Sequence, residues 1–192
     1  MEEKELEGLY RGCAMKLAEE YPVMMKDYDR MKERLAGSWV YTKEMAIAEL
    51  SSSTVSYDNV RVQNNRISNP AERIAMMLTD DYMRHKQAEY DWERERLKRE
   101  LDYLDWKMRI VEVAVKERMN DFQQRVFRMI YLKGKTFKET REALEERPCN
   151  RKIVETKGKI WQKMITELKA QEKAHKEFMR RLIAETKQLK GA

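Results

Sequence analysis

A run of charged and hydrogen-bonding side chains lies between residues 150 and 159, at a spacing that places most of them on one helical face. Arg and Lys can neutralise phosphates, and Arg, Asn and Glu can also hydrogen-bond to the edges of bases. The candidate contact residues are Asn150, Arg151, Lys152, Glu155, Thr156, Lys157 and Lys159, together with Thr136 and Lys138 before the run. These residue types at this spacing predict a surface for a polyanion.

The charges of the chain are divided unevenly along its length. Of the 192 residues, 40 are Lys or Arg and 34 are Asp or Glu, which gives a net charge of +6. Residues 116–192 hold 21 Lys and Arg against 11 Asp and Glu, whereas residues 1–115 hold 19 against 23. A basic segment behind an acidic one is typical of a nucleic-acid-binding module joined to a separate scaffold. Solvated Lys and Arg on helical faces give milder versions of the same pattern.

Two helices are predicted directly before the charged run. Apolar side chains from Phe122 to Tyr131 repeat at helical spacing and predict the first of them, closed at Gly134. Thr136 is predicted to cap a short second helix, with Glu139 as its partner in a capping box. Leu144 is expected on the inner face of this second helix.

The charged run itself begins a third predicted helix, which starts at Cys149 or Asn150 after a turn that contains Pro148. Its predicted apolar positions are Ile153, Val154, Ile160, Trp161, Met164, Ile165 and Leu168. Three helices with a short middle one predict a helix-turn-helix over residues 116–168. The third helix of such a unit fits the major groove of double-stranded DNA.

Helices are also predicted for residues 1–50. Apolar side chains recur every three or four positions from Leu6 to Leu17 and from Met24 to Leu35, and Pro22 is expected to break or restart the helix. Residues 38–50 are ambiguous, with a short helix capped at Thr42 as one interpretation. Residues 51–68 carry Ser, Thr and Asn without helical periodicity and predict an exposed loop or linker.

A long helix is predicted over residues 69–115. Asn69-Pro70 places an N-cap residue before a proline at the first helical position. The second half of this helix carries a heptad seam of Leu97, Leu101, Leu104, Met108, Val111 and Val115. The seam suits a homodimer and equally a hairpin that packs against the N-terminal helices. Residues 169–192 are predicted to be a basic helical tail. The predicted architecture is therefore all-α, a long coiled-coil-like scaffold with a C-terminal trihelical unit.

Side chains for catalysis or metal binding are not grouped in the sequence. His85 and His175 are far apart, and Cys13 and Cys149 have neither zinc spacing nor a disulfide framework. Gly-rich phosphate loops and nucleophile motifs are not found. We therefore expect no enzyme and no cofactor. Because the sequence has no long apolar run and no secretory signal, we expect a cytoplasmic protein without a membrane partner.

The C-terminal region resembles a known family of DNA-binding modules. The stretches QQRVFRMIYLKGKTFKETREAL and NRKIVETKGKIWQKM are similar to region 4 of bacterial sigma factors, which recognises promoter elements. Together with EEYPVMMKDYDRMKERL and NRISNPAERIA nearer the N-terminus, they resemble the RinA/ArpU-type phage transcriptional regulators of Gram-positive hosts. This resemblance covers most of the chain. It implies recognition residues at Asn150, Arg151, Lys152, Glu155, Thr156 and Lys159.

What the resemblance implies is an activator of phage late or packaging genes, which acts on promoter DNA in a bacterial host cell with host RNA polymerase as a partner. Two other classes of protein fit the same features. A small terminase subunit also joins a helix-turn-helix to a coiled coil, but it forms a ring of many subunits, whereas a regulator should be a monomer or dimer. A coiled-coil adaptor that binds protein would have little or no affinity for DNA.

Overall fold

The computed structural model describes residues 3–53 and 79–190, and within these ranges the chain is helical and contains no strand. The helices are α1 (Glu3–Ala36), α2 (Lys43–Ser53), α3 (Asp80–Val113), α4 (Asp121–Phe127), α5 (Phe137–Ala143), α6 (Asn150–Glu172) and α7 (Lys176–Lys190). Helices α3 and α4 each continue into a π-helical turn, at Ala114–Arg118 and Arg128–Leu132. The predicted all-α class is confirmed. Among the described helices, none combines the length and the apolar character that a membrane span requires.

The chain divides into two compact units. The first unit combines the residues up to Lys32 with those from Leu101 onward, and the second consists of residues 33–100. Both α1 and α3 contribute residues to both units. The division therefore runs across the predicted segments 1–50 and 69–115, while segments 116–168 and 169–192 belong to the same unit.

Helix α1 is continuous over 34 residues and contains Pro22. The predicted break at Pro22 is therefore wrong. Proline removes one backbone hydrogen bond and crowds the preceding turn, but Tyr21 and Met24 on either side are both buried in the core of the first unit. Burial of the apolar stripe on α1 outweighs the local preference of proline, since most helical stability in proteins comes from such packing.

One hydrophobic core holds the first unit together, and α1, α3, α6 and α7 all contribute to it. The contribution of α1 is Tyr10, Cys13, Ala14, Leu17, Ala18, Tyr21 and Met24. The segment from α3 to α5 adds Tyr103, Trp106, Ile110, Val111, Ala114, Met119, Val126, Phe127, Tyr131 and Leu144. Helices α6 and α7 add Ile153, Ile160, Met164, Ile165, Leu168, Met179 and Leu182. The N-terminal helix and the C-terminal helices thus share a core.

The apolar seam predicted on α3 packs against the core of its own chain. Val111 is fully buried, and Leu104 and Met108 pack against the core while remaining partly exposed. The more deeply buried face of the helix carries Tyr103 and Trp106 instead of the neighbouring seam residues. The core therefore takes aromatic side chains from a face next to the predicted seam. The homodimer that the seam also suits stays a prediction.

In the second unit, one glutamine of α3 holds the segment between α1 and α2. The backbone N–H of Tyr41 donates to Gln87 Oε1 at 2.8 Å, and Gln87 Nε2 donates to the carbonyl of Trp39 at 2.9 Å. The rings of Trp39 and Tyr41 both pack against Tyr90, with centroids 6.3 and 5.3 Å away. Tyr41 also donates its hydroxyl hydrogen to Glu49 on α2 at 2.7 Å. These contacts fix the connection by aromatic packing and backbone hydrogen bonds together.

The helix boundaries around the linker agree only in part with the sequence. Helix α2 is capped as expected, because Thr42 Oγ1 accepts from the N–H of Met45 at 3.3 Å. Residues 51–53 belong to α2, so the loop predicted over 51–68 begins too early, and the rest of it and the cap at Asn69-Pro70 lie outside the described residues. Thr79 is not helical and caps α3 through the N–H of Tyr82 at 3.2 Å. The expectation of an unbroken helix over 69–115 is therefore wrong at Thr79.

Two adjacent methionines on α1 test the core. Met24 is 3% exposed and Met25 is 42% exposed. We expect Met24→Ala to lower the free energy of unfolding by about 2–5 kcal/mol, because it removes buried methylenes and leaves a cavity. Met25→Ala is the matched control and should change it by less than about 0.5 kcal/mol. Denaturant unfolding of both variants gives the comparison, and equal losses would contradict the packing of α1.

Candidate functional site

The segments before α6 are fixed by local capping. Thr136 Oγ1 accepts from the N–H of Glu139 at 3.3 Å, and Glu139 Oε2 accepts from the N–H of Thr136 at 2.8 Å. The predicted capping box of α5 is thus confirmed. A second capping box, between Asn120 and Gln123, begins α4 and was not predicted. Gly134 has a φ of +62°, the left-handed conformation that glycine adopts without steric cost, and it turns the chain from α4 into α5.

A short turn leads from α5 into α6. Leu144 and Pro148 are buried in this turn, while Arg147 has a φ of +40°. Arg125 on α4 forms an ion pair with Glu146 and so ties the turn to the preceding helix. Helix α6 begins at Asn150 after the N-cap residue Cys149, where the sequence predicts a helix start.

Helix α6 has a buried face and an exposed one, and two residues lie on the opposite face from the one predicted. Val154, predicted as an apolar core position, is 52% exposed. Thr156, predicted on the outer face, is 6% exposed, and its hydroxyl donates to the carbonyl of Lys152 at 2.7 Å. Both predictions are wrong. A threonine that returns its hydroxyl to its own helix presents mainly a methyl group to the core, so it can occupy an apolar position.

Four charged residues remain together on the exposed face of the first turns of α6. They are Arg151, Lys152, Glu155 and Lys159. The Arg151 side chain is 87% exposed, and its Nε donates to Glu155 Oε1 at 2.9 Å. This bond uses one of the five guanidinium N–H groups and orients the planar group along the helix surface. Beside this face lies a groove of about 620 Å³, lined by Asn120, Phe122, Gln123, Cys149, Arg151, Lys152, Glu155, Thr156 and Lys159.

The ammonium group of Lys157 lies among three aromatic rings. Its Nζ is 5.6 Å from the ring centroid of Tyr131, 5.7 Å from that of Phe137 and 5.1 Å from that of Trp161. Trp161 in turn donates its Nε1–H to the hydroxyl of Tyr131 at 2.9 Å. Cation–π attraction and this hydrogen bond connect α6 to the end of α4 and to the start of α5. The geometry gives Lys157 a role in positioning α6, next to the contact role predicted from the sequence.

The remaining predicted contact residues lie around the two helix starts. Asn150 and Lys138 are exposed, at the start of α6 and on α5. Thr136 is exposed as well, but its hydroxyl donates to Glu139 Oε2 at 2.8 Å within the capping box. Of the predicted residues of α6, Arg151, Lys152, Glu155 and Lys159 thus share one exposed face, and Asn150 is exposed at the start of the helix.

An ion pair holds α6 against the end of α3. The Glu167 side chain is 4% exposed, and its Oε2 accepts from Nε and Nη2 of Arg118 at 2.9 and 2.7 Å. Its Oε1 accepts from Gln171 at 3.0 Å. Burial opposes ionisation, but the hydrogen bonds from Gln171 and Arg118 outweigh it and lower the pKa of the Glu167 carboxyl. This pair is not predictable from sequence spacing, because its partners are 49 positions apart.

The two histidines lie in different surroundings. His85 in the second unit is exposed and is 3.3 Å from Glu89 on its own helix. His175 in the first unit stacks on Phe178 at 5.8 Å. Within the described ranges, no cluster of three or more His, Cys, Asp or Glu side chains could hold a metal ion.

The chain was also compared with known proteins. It matches no family model, no curated protein and no solved structure. The exposed face of α6 is therefore the feature on which a functional proposal rests.

The Glu167 pair predicts a pH dependence of stability. A carboxyl whose pKa is lower in the folded than in the unfolded state stabilises the fold above the unfolded value, and this stabilisation is lost as the pH falls through the folded value. We expect the free energy of unfolding of the wild type to fall below a pH of about 4.5, near the usual glutamate pKa. Glu167→Gln should reduce that pH dependence.

Urea unfolding at a series of pH values measures this slope. Glu7→Gln is the control, since Glu7 is an exposed glutamate on α1. If Glu167→Gln and Glu7→Gln keep the same slope as the wild type, the buried ion pair does not contribute as described.

Proposed function

We propose that this protein binds double-stranded DNA with the first turns of α6, and that it does so with sequence preference. The observation that carries the proposal is the division of this helix into two faces. Ile153 and Ile160 are fully buried in the core, while Arg151 and Glu155 on the same helix are exposed. A helix that is fixed from behind and bears charged side chains at its N-terminal end suits insertion into a major groove.

The exposed side chains offer the two kinds of contact that DNA recognition needs. Arg151 can bind the O6 and N7 atoms of a guanine, and Glu155 can accept from the amino group of a cytosine. Lys152 and Lys159 suit phosphate contacts, which set the position of the protein without reading sequence. In this proposal α5, the following turn and α6 act as a helix-turn-helix, and the exposed Lys138 on α5 is a candidate for a further phosphate contact.

The overall charge supports a polyanionic partner. Residues 116–192 carry ten more basic than acidic side chains, the difference between 21 and 11. Such an excess speeds association with DNA and makes affinity depend strongly on salt. The acidic residues around α5, among them Glu142 and Glu145, make the surface mixed, so the contact is confined to the start of α6 and its groove.

For the biological role, we propose a transcriptional regulator of phage type that acts in the cytoplasm of a bacterial host. The support is the resemblance of the α4–α6 sequence to sigma factor region 4 and of the longer chain to RinA/ArpU-type regulators. Activation of late genes together with host RNA polymerase is the form that this resemblance implies. We propose no catalytic activity and no cofactor for this role.

Oligomeric state separates the regulator from a small terminase subunit. Light scattering of the purified chain should give a monomer or dimer for a regulator and a ring of many subunits for a terminase. The packing of Tyr103, Trp106 and Val111 into the core of one chain favours the smaller assembly, because these side chains are already covered. A molecular mass that corresponds to six or more chains would contradict the proposed regulator. A folded protein that does not bind DNA would favour a protein-binding adaptor.

A pair of exposed arginines tests the DNA-binding face. The Arg151 side chain is 87% exposed and the Arg30 side chain on α1 is 80% exposed, and each is paired with an acid of its own helix. We expect Arg151→Ala to cost about 1–3 kcal/mol of discrimination at one base pair. Arg30→Ala changes the net charge equally and should leave sequence preference unchanged. The measurement is selection of bound duplexes from a random library with each variant.

Lys159→Ala tests the phosphate contact. It should weaken binding to all duplexes alike and make the plot of log K against log salt shallower by about one unit. Fluorescence anisotropy at several salt concentrations gives this slope. If Arg151→Ala and Lys159→Ala both bind and select DNA as the wild type does, while thermal melts show them folded, α6 is not the reading element.

A further inference from the structure

One exposed apolar side chain interrupts the charged face of α6. Val154 is 52% exposed, although a β-branched residue on an exposed helical position has no packing to favour it. It follows Arg151 by one turn and directly precedes Glu155. Lone apolar residues are ordinary on protein surfaces, but this one lies within the face proposed to enter the groove.

The surroundings of Val154 allow close approach of a partner. Gly158 follows it by one turn on the same side of the helix, and a Cβ added to Gly158 would meet no atom within 4 Å. The backbone of α6 is therefore open next to the valine. Arg151 and Glu155 project beside it and are joined by their 2.9 Å hydrogen bond. A partner surface at this point meets one small apolar group with hydrogen-bonding groups next to it.

This combination matches the edge of a base pair and does not match a protein interface. Stable protein–protein interfaces bury about 1,200–2,000 Å² around an apolar centre, whereas on α6 Val154 alone among the large apolar side chains is exposed. In the major groove, thymine is the base that presents an apolar group, its C5-methyl, beside hydrogen-bonding atoms. Apolar side chains are the groups that read this methyl.

We infer that Val154 is a specificity-determining residue, which reads the C5-methyl group of a thymine next to the base pair contacted by Arg151 or Glu155. This inference rests on the proposed DNA binding by α6 and adds a base identity to it. The preferred duplex accordingly contains a thymine at a fixed position in each site. Removal of either partner of the contact, the valine methyls or the thymine methyl, should have a similar effect.

The test uses the full chain and synthetic duplexes. The wild type first selects a preferred duplex from a random library, and each thymine of that duplex is then replaced singly by deoxyuridine, which lacks only the C5-methyl. At one position we expect deoxyuridine to weaken wild-type binding about fourfold, the factor that corresponds to one buried methylene. Val154→Ala should bind the thymine duplex more weakly by a similar factor and should be insensitive to deoxyuridine at that position.

Val23→Ala is the matched control, since Val23 is an exposed valine of α1 and is 57% exposed. This variant should keep the wild-type response to deoxyuridine. The inference is overturned if Val154→Ala loses as much affinity on each deoxyuridine substitution as the wild type does. It is also overturned if no deoxyuridine substitution in the selected duplex weakens wild-type binding. Those outcomes leave sequence-specific binding intact. A wild type that selects no sequence at all overturns the proposed function and this inference together.

Discussion

Burial of the apolar stripe on α1 is the interaction on which the first unit depends. Cys13, Leu17 and Ala18 are completely excluded from solvent, in a core to which α3, α6 and α7 also contribute. The core that receives this stripe also contains Ile153 and Ile160 of α6. The position of the exposed face of α6 is therefore set by packing on its far side. A loop with the same charged residues would have no such support, and its side chains would be spread over many conformations.

Ion pairs of two largely buried lysines add directionality to this packing. Lys107 of α3 is largely buried and lies 3.5 Å from both Glu20 of α1 and Glu185 of α7, and Lys16 lies 3.3 Å from Glu185. Burial opposes the ionised form of Glu185, but the charges of Lys107 and Lys16 outweigh it and lower the pKa of this carboxyl. Ion pairs that bury a charge add little net stability compared with apolar residues of the same volume, because the lost hydration offsets the attraction. We interpret the network as a device that selects one arrangement of α1, α3 and α7 among others with similar apolar contact.

What the sequence predicts well here is local. The capping box of Thr136 and Glu139 and the start of α6 at Asn150 depend on residues within four positions of each other, and both are found as expected. The sequence predicts less well wherever distant parts of the chain decide. Pro22 is tolerated because its neighbour Tyr21 is buried against Phe127 of α4 and donates to Glu112 of α3, 91 positions away. Val154 and Thr156 exchange faces because apolar character alone does not describe a threonine bonded to its own helix. The burial of Trp106 in the core and the pairing of Arg118 with Glu167 depend on contacts between distant parts of the chain, and sequence spacing does not reveal them.

The first unit is built from two stretches of sequence with residues 33–100 between them, and this has a consequence for its biosynthesis. A ribosome makes α1 before the other helices of this unit, but the core that contains its apolar stripe also includes Leu182 of α7. At about 5–20 residues per second, the roughly 150 residues between Lys32 and Leu182 take on the order of 10–30 s to translate. The segment from α3 to α5 covers part of the stripe of Tyr, Leu and Met side chains on α1 during that interval, and α7 completes the cover at its end. The core of the first unit is thus completed only after α7 has been made, and until then the exposed part of the stripe on α1 is a candidate binding site for a holding chaperone.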